Sequence, residues 1–250
     1  MSAPEKSEIL RRAEDLARRC ERSGGITATA FLTPAEQYEL RQAFSGREMS
    51  LIRHGGGEEC ERCCVFFLPE YLSAEDFRPE EHIRCVRFQC TFGQPTHRDY
   101  LGSILAQGIG RERLGDIRIR EGEAWVFCLP PVEPLLLEMD RVGRFSVKAA
   151  DCPLGEVPPE EIRRETVTFT VQSLRLDAVT GGMFRMSRAS AAEQIRLGLV
   201  SLNYSVCERT DAPIREGDVI SLRGKGKGSV TGIGGRSRKD RLFVTAERRI

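Results

Sequence analysis

The sequence predicts an α+β protein of three small domains, because three successive blocks of the chain show helical and strand-like apolar patterns in different orders. We place these domains at residues 1–76, 80–171 and 172–250. The first is predicted as an N-terminal α/β domain and the second as a βαββαβ sandwich. The third is predicted as a pair of helices on a small sheet.

The N-terminal block begins with apolar residues at helical spacing in EILRRAEDLARRC. A second helix is predicted from Pro34, because Thr33 is a suitable N-cap and Glu36 completes a capping box. The segments MSLIRH and CCVFFL are predicted as short strands on either side of a Gly-rich turn. This block therefore combines two helices with two strands.

The middle block reads strand, helix, strand, strand, helix, strand, an order typical of a ferredoxin-like sandwich, which RNA-recognition motifs also use. Trp125 and Phe127 are interpreted as packing residues, because EAWVFCL lacks the aromatic-rich signature of a strand that stacks bases. The segments are, in order, IRCVRFQCTF, THRDYLGSILAQGI, DIRIR, EAWVFCL, VEPLLLEMDRV and FSVKAA, followed after a Pro-rich linker by a further strand, ETVTFTVQ.

The third block is predicted to begin with a helix in LRLDAVTGGMF, weakened by its two glycines, and to continue with a helix in RASAAEQIRLG that Ser187 caps. LVSLNYSV, IREGDVISLRGKG and RLFVTAE are predicted to add strands. Arg185 and Arg188 flank the start of the second helix, and we expect both guanidinium groups and its free backbone N–H groups to converge on one phosphate-sized place. The glycines of RGKGKG should let the backbone approach a sugar-phosphate chain.

The distribution of charge along the chain favours a nucleic-acid partner. The net charge is only +1, but residues 172–250 contain 15 Lys and Arg against 8 Asp and Glu, which gives +7 there and −6 upstream. A basic block joined to an acidic body is the electrostatic footprint of nucleic-acid binding. A solvated basic face is the alternative interpretation of the same count.

Composition indicates a folded, cytoplasmic protein. The chain is 250 residues long and 40% hydrophobic, with no apolar run of eighteen residues and no apolar core of a signal peptide near Met1. Its nine cysteines are odd in number and irregularly spaced, so we expect reduced thiols and no disulfides. We expect no membrane partner.

Two short motifs have both a structural and a chemical interpretation. His97 and Asp99 could serve acid–base chemistry, but Thr96 and Asp99 at a helix start form a capping box, and no nucleophile accompanies them. Cys60-Glu-Arg-Cys63 has the spacing of half a zinc site, yet no second pair follows at a usual interval. We therefore predict no catalytic residue, no metal and no cofactor.

The C-terminal pattern resembles a known RNA-binding domain. RLDAV, FRMSRASA, GLV and REGDVISLRGKG follow one another in the order and spacing of the domain named after ribosomal protein S-four, over residues 174–235. The resemblance implies two helices packed on a small sheet that binds RNA.

Asp177 also has a catalytic interpretation, because RLD followed by TGG resembles the active-site segment of pseudouridine synthases. Synthases that contain the S-four-like domain place it before a much larger catalytic domain. Here only 73 residues follow Asp177, and the predicted helices and strands occupy them. We therefore assign Asp177 to helix capping or to a local ion pair.

The whole chain is similar to the YlmH family of bacterial RNA-binding proteins. FLTPAEQYEL, PTHRDYLGSILAQGIGRERLGDI, AWVF, VGRFSV and the S-four-like C-terminus carry this resemblance. Family members are associated with the large ribosomal subunit and with stalled complexes carrying peptidyl-tRNA, in ribosome-associated quality control, and are also linked to cell division. The resemblance implies a non-enzymatic protein that binds ribosomal RNA and tRNA on the large subunit, with no small-molecule substrate.

The resemblance and the basic pattern together predict the RNA-binding residues, of which Arg188 is the first contact that the resemblance implies. The full set is Arg175, Arg185, Ser187, Arg188, Ser190, Arg196, Arg223, Lys225, Lys227, Arg236, Arg238 and Lys239. No base-reading set is identifiable, so we expect recognition of RNA shape and backbone. Two other functions stay open: an RNA-modifying enzyme of the pseudouridine-synthase type that uses Asp177, and a cell-division-linked interaction protein.

Overall fold

The computed structural model describes residues 7–47, 49–160 and 162–249. The chain forms two compact units, Met1–Glu160 and Glu161–Ile250. The division therefore falls after Glu160, eleven residues before the boundary expected at residue 171. No helix in the described ranges is long and apolar enough to cross a lipid bilayer.

The described residues contain six α-helices and fourteen strands. The helices are α1 (Glu8–Ser23), α2 (Pro34–Phe44), α3 (His97–Leu105), α4 (Glu133–Leu137), α5 (Leu176–Met183) and α6 (Arg188–Arg196). The strands are β1 (Thr27–Ala28), β2 (Ser50–His54), β3 (Cys64–Leu68), β4 (Arg84–Cys90), β5 (Leu114–Arg120), β6 (Glu123–Cys128), β7 (Arg141–Val142), β8 (Phe145–Asp151), β9 (Arg164–Val171), β10 (Val200–Leu202), β11 (Ser205–Val206), β12 (Val219–Leu222), β13 (Gly226–Arg236) and β14 (Leu242–Arg249).

The N-terminal elements confirm the helix signals of the sequence. Glu36 bonds back to the Thr33 backbone N–H at 2.7 Å, and Pro34 occupies the first position of α2, so the predicted capping box is present. The two helices pack on a three-stranded sheet of order β1-β3-β2. The short strand β1, which the sequence analysis did not predict, pairs with β3 through Thr27 and Ala28.

The middle segment forms a five-stranded antiparallel sheet of order β5-β6-β4-β8-β7, with α3 and α4 on one face. The predicted order of strand, helix, strand, strand, helix, strand is present here. Tyr100, Ile104 and Leu136 from the helices are buried against Phe88 and Val126 of the sheet. Only five residues of the long helix predicted in VEPLLLEMDRV are α-helical, because the chain leaves α4 to form β7.

The opposite face of this sheet is covered at one end by the N-terminal elements. Trp125 is 5% exposed and Phe127 is fully buried, and both lie in one core with Phe31 and Phe66. Their interpretation as packing residues is confirmed. Residues from the two domains predicted at 1–76 and 80–171 therefore share a hydrophobic core within the first unit, which ends at Glu160.

The second unit is a six-stranded sheet of order β11-β10-β12-β13-β14-β9, with α5 and α6 packed on it. Strand β9 was expected to belong to the middle domain, residues 80–171. It pairs instead with β14 over eight residues, from Leu242↔Val171 to Arg249↔Arg164. This continuous antiparallel pairing satisfies its backbone groups within the second sheet. The strand thus belongs to the C-terminal unit.

The segment LVSLNYSV, predicted as a strand, is a tight hairpin between β10 and β11. Asn203 and Tyr204 at its turn both have positive φ, 50° and 71°. Two consecutive positive φ values define the type I′ turn, whose twist matches that of two antiparallel strands. The turn carries no glycine, and this explains why the sequence pattern did not reveal it.

The paired glycines of α5 allow the helix to lie close to β9. A Cβ atom on Gly182 would lie 2.1 Å from Cδ2 of the Phe169 ring on β9, and one on Gly181 would lie 3.2 Å from the Met186 carbonyl oxygen. Glycine weakens a helix in isolation, but here it permits a contact that a larger residue would block. The glycines that made this helix doubtful are therefore explained by its packing.

Replacing Gly182 with Ala should destabilise the second unit. The added methyl displaces the Phe169 ring, and we expect a net loss of about 1–2 kcal/mol after the gain in helix propensity. The chain's single Trp lies in the first unit, so opening of the second is best measured by hydrogen exchange of peptides from β9 and α5.

The control is Gly235→Ala on β13, where an added Cβ meets nothing within 4 Å and φ is not positive. In a Phe169→Leu background, Gly182→Ala should cost less, because the obstructing ring is gone. An equal loss in both backgrounds would contradict the assigned contact.

Candidate nucleic-acid interface

A buried carboxylate organises the start of both helices in the second unit. Asp177, in the first turn of α5, is 4% exposed. Its Oδ2 accepts hydrogen bonds from Arg175 Nη2 at 3.3 Å and Arg188 Nε at 3.0 Å, and Arg175 Nε lies 3.3 Å from Oδ1. The two arginines remain 38% and 51% exposed along their side chains. The ion pair expected for Asp177 is present, whereas a capping hydrogen bond is absent from α5.

The electrostatics of this cluster keep Asp177 ionised. Burial by itself would raise the pKa of the Asp177 carboxyl, but the hydrogen bonds and positive charges of Arg175 and Arg188 outweigh it and lower that pKa below its usual value. Two guanidinium groups on one carboxylate leave an excess positive charge at the surface. The cluster can therefore present oriented N–H donors to an external anion.

Arg185 and Arg188, which were expected to converge on one place, have different carboxylate partners. Arg185 has a positive φ of 52° and pairs with Glu165 on β9. Glu165 also lies 3.8 Å from Arg248, whose guanidinium donates to the Met183 carbonyl at 3.2 Å. Sequence reasoning missed Glu165 and Arg248, because no local pattern links a carboxylate to an arginine twenty or more residues away.

The N-terminus of α6 is capped as predicted. Ser187 accepts a hydrogen bond from the backbone N–H of Ser190 at 3.1 Å, so these two predicted site residues have a structural role at the helix start. Ser187 is exposed, and Arg196 is exposed in the last turn of the same helix. The helix therefore carries predicted residues at both of its ends.

The remaining predicted cations lie on β13 or on the turns at its two ends. Arg223 and Lys225 are exposed between β12 and β13, and the Arg223 N–H donates to the Leu199 carbonyl just beyond α6. Lys227 is half-buried on β13 itself. The second turn contains Arg236, which pairs with Asp240 at 2.7 Å, together with the exposed Arg238 and Lys239. Eleven residues of β13 separate the turns by roughly 33 Å, so only an extended ligand could contact both.

The glycines of RGKGKG have different structural roles. Gly224 and Gly226 have φ values of 80° and 91°, which the turn requires. Gly228 is buried, and a Cβ there would lie 2.8 Å from Met183 Sδ. This third glycine brings β13 close to α5 rather than to an external backbone.

The other two motifs have structural roles in the first unit. Asp99 bonds to the Thr96 backbone N–H and hydroxyl at 2.7 Å, which confirms the capping box at α3. Burial raises the pKa of Cys60 to about 11 and of Cys63 to about 12, so both thiols are protonated at neutral pH and pack as apolar groups. Within the described ranges, no three His, Cys, Asp or Glu side chains meet as a metal site would require.

The comparisons with known proteins decide the family. A family model described as "Putative RNA-binding domain in YlmH" matches residues 73–156. "Ribosome-associated protein quality control protein P2" of Bacillus subtilis (strain 168) is 32% identical over 221 residues, which cover 88% of this chain and 86% of that protein. The chain belongs to the YlmH family.

A solved structure supports the fold of this YlmH-family chain. "Cell division protein ylmH from Streptococcus pneumoniae" superposes with a TM-score of 0.50 at 22% identity. The superposition covers 62% of this chain and 96% of that one. At this identity the likeness concerns the fold alone.

Replacing Asp177 with Asn should destabilise the second unit at neutral pH, because two arginines then face each other without a countercharge. We expect a loss of about 1–3 kcal/mol, less than for a fully buried pair because both arginines are partly exposed. Since folding lowers the pKa of Asp177, its contribution is complete above the ordinary value near 3.8 and disappears as pH falls through the folded-state pKa.

Hydrogen exchange of α5 and β14 at a series of pH values provides the measurement. The difference between wild type and Asp177→Asn should be constant from about pH 7 to pH 5 and shrink in more acidic solution. Asp211→Asn, at an exposed carboxylate 3.6 Å from Arg209, is the matched control and should change stability by less than about 0.5 kcal/mol. A difference that grows on acidification would refute the assigned ion pair.

Proposed function

We propose that this YlmH-family protein is a non-enzymatic RNA-binding protein of the cytoplasm that associates with the ribosome in translation or ribosome-associated quality control. Its targets in this proposal are large-subunit ribosomal RNA and tRNA, including peptidyl-tRNA. The observation that carries the proposal is the family relationship to a B. subtilis protein named for ribosome-associated quality control, together with a family model described as RNA-binding.

The proposal assigns RNA binding to the second unit as an S-four-type domain. Support comes from its charge, since residues 161–250 contain 17 Lys and Arg against 10 Asp and Glu. Further support comes from the arrangement of two helices on a sheet, with Arg175 and Arg188 oriented by Asp177 at one place and basic turns at both ends of β13. An extended polyanion is the class of ligand that matches such separated cations.

The assignment of Asp177 as a positioning residue follows from its contacts. Both carboxylate oxygens accept hydrogen bonds from guanidinium groups, and the side chain is almost fully buried. In this proposal its role is to fix Arg175 and Arg188, whose exposed edges contact phosphate. The alternative function is RNA modification in which Asp177 is the catalytic residue.

Co-sedimentation with purified ribosomal subunits across a salt series tests the proposal. The wild type should bind the large subunit in a salt-sensitive manner, and Arg223→Glu with Lys225→Glu should weaken binding. Loss of two phosphate contacts should reduce the log–log salt slope by roughly 1.4–1.8, since each contact contributes about 0.7–0.9.

The matched control is Arg209→Glu with Arg215→Glu, which changes charge equally on exposed residues of the same unit outside the predicted set. Equal binding by both double variants would remove the turn from the site. A wild type that binds neither subunits nor tRNA would overturn the ribosomal role. RNA turnover that Asp177→Ala abolishes, with binding retained, would overturn the non-enzymatic assignment.

A further inference from the structure

The first unit also carries a group of cations on one face of its five-stranded sheet, the face opposite α3 and α4. Strand register places side chains on this face in two rows across β5, β6, β4 and β8. The first row is Arg118, Trp125, Arg87 and Ala150, and the second is Arg120, Glu123, Gln89 and Lys148. Arg141 on β7 opposes Ser146 and extends the same face, because its neighbour Val142 lies in the core with the helices.

Only part of this face is open to a ligand. Trp125 is buried beneath the N-terminal elements, and Arg118 donates hydrogen bonds to the Pro158 and Glu58 carbonyl oxygens. Of the remaining polar side chains, Glu123 is half-buried, and four cations and Gln89 are exposed. We call these residues the open sheet face: Arg87, Gln89, Arg120, Arg141 and Lys148.

The charge of the open sheet face is opposite to that of the unit that carries it. Residues 1–160 contain 21 Lys and Arg against 27 Asp and Glu, yet the face has four cations and Glu123 is the carboxylate within its two rows. In the described ranges, Arg87 and Lys148 have no ion-pair or side-chain hydrogen-bond partner, and Arg120 lies 3.7 Å from the exposed Glu121. Arg87 and Lys148, which have no such partner among the described residues of an acidic unit, favour a polyanionic partner.

An exposed aromatic residue lies at the end of the same strands. Phe92 follows β4 by two residues and is 86% exposed, more than any other large hydrophobic side chain among the described residues. The adjacent Gly93 is close to the ring of Phe145, which starts β8, so this loop lies where β4 ends and β8 begins. Lys148 is three residues along that strand. An exposed aromatic ring near the strands that carry the cations is a combination that suits unstacked bases and their backbone.

We propose that the open sheet face, together with Phe92, is a second RNA-binding surface that takes single-stranded RNA. Arg87, Arg120, Arg141 and Lys148 contact phosphates, Gln89 offers an amide to base edges, and Phe92 stacks on a base. This inference rests on the proposed function and adds to it a contact surface in the first unit. All of these residues fall within the segment 73–156 that matches the RNA-binding family model.

The geometry favours a single strand over a duplex. Arg120 and Lys148 are three strand spacings apart, roughly 14 Å, and Glu123 and Gln89 lie between them, so the two cations stand at opposite ends of one row of the sheet surface. A-form duplexes hide their base faces, and Phe92 then has no stacking partner. A splayed strand can contact the cations and Phe92 together.

The test uses full-length protein and a fluorescently labelled single-stranded RNA of mixed sequence, with the duplex of the same sequence for comparison. Arg87→Glu with Lys148→Glu should weaken single-strand affinity by about tenfold or more and reduce the log–log salt slope by roughly 1.4. Phe92→Ala should weaken it by about 5- to 150-fold, with a smaller effect on the duplex.

Matched controls keep the result interpretable. Arg98→Glu with Arg113→Glu changes charge equally on exposed residues of the same segment, and should leave affinity unchanged. The neutral pair Arg87→Gln with Lys148→Gln should show an intermediate loss, and it replaces the charge-reversed pair if circular dichroism shows that pair to be misfolded.

Large-subunit co-sedimentation of the same variants separates this inference from the proposed function. If the wild type binds subunits and every face variant binds the single strand as the wild type does, the inference fails and the ribosomal role stands. If face variants lose single-strand binding but the wild type binds no subunit, the inference stands without that role. Loss of subunit binding with unchanged oligonucleotide affinity would assign the face to an acidic protein surface and overturn the RNA inference.

Discussion

The pairing of β9 with β14 is the constraint on which the second unit depends. It joins the first strand of that unit to its last over eight residues and makes β9 the edge strand of the sheet. Strand β9 also contacts the segment that leads from α5 to α6. Phe169 lies against Gly182 near the end of α5, and Glu165 forms an ion pair with Arg185 in the connection. Because a one-residue slip would reverse which face each side chain occupies, this register fixes where α6 begins relative to the sheet.

The buried carboxylate of Asp177 fixes the positions of two partly exposed arginines, Arg175 and Arg188. An isolated buried carboxylate would be protonated or would destabilise the fold, but two guanidinium groups compensate its lost hydration. The arginines lose rotamer freedom on folding rather than on binding, which lowers the entropic cost of holding an anion later. In the part of the chain that the structure describes, the exposed Arg223 and Lys225 have no carboxylate that orients them, so what they offer a polyanion is long-range attraction.

Local features of this chain could be predicted from sequence, and long-range ones could not. The capping boxes at Thr33 and Thr96 depend on residues three apart, so their patterns are visible in the sequence. The place of β9 in the second sheet depends on pairs such as Val171 with Leu242, which are about seventy residues apart in sequence. The sequence analysis had placed this strand in the middle domain. Arg188 was predicted as a site residue from its motif, and Asp177 was expected to cap a helix or to form a local ion pair, but the contact between these two residues was not predicted. The sequence could show where the cations are along the chain. Only the fold could show which of them share a carboxylate.

Net charge is a poor guide to what each unit binds, because screening makes a ligand respond to the nearest charges. At physiological salt the Debye length is about 8 Å, comparable to the distance between next-nearest strands in a sheet. A strand of RNA against Arg87 and Lys148 would therefore interact chiefly with the open sheet face, while the acidic residues elsewhere on the unit are screened. The same argument applies in the second unit, where two basic turns roughly 33 Å apart act as separate contacts rather than as one field. Binding by either unit then depends on local clusters of cations, and the acidic composition of the first unit does not oppose an RNA partner.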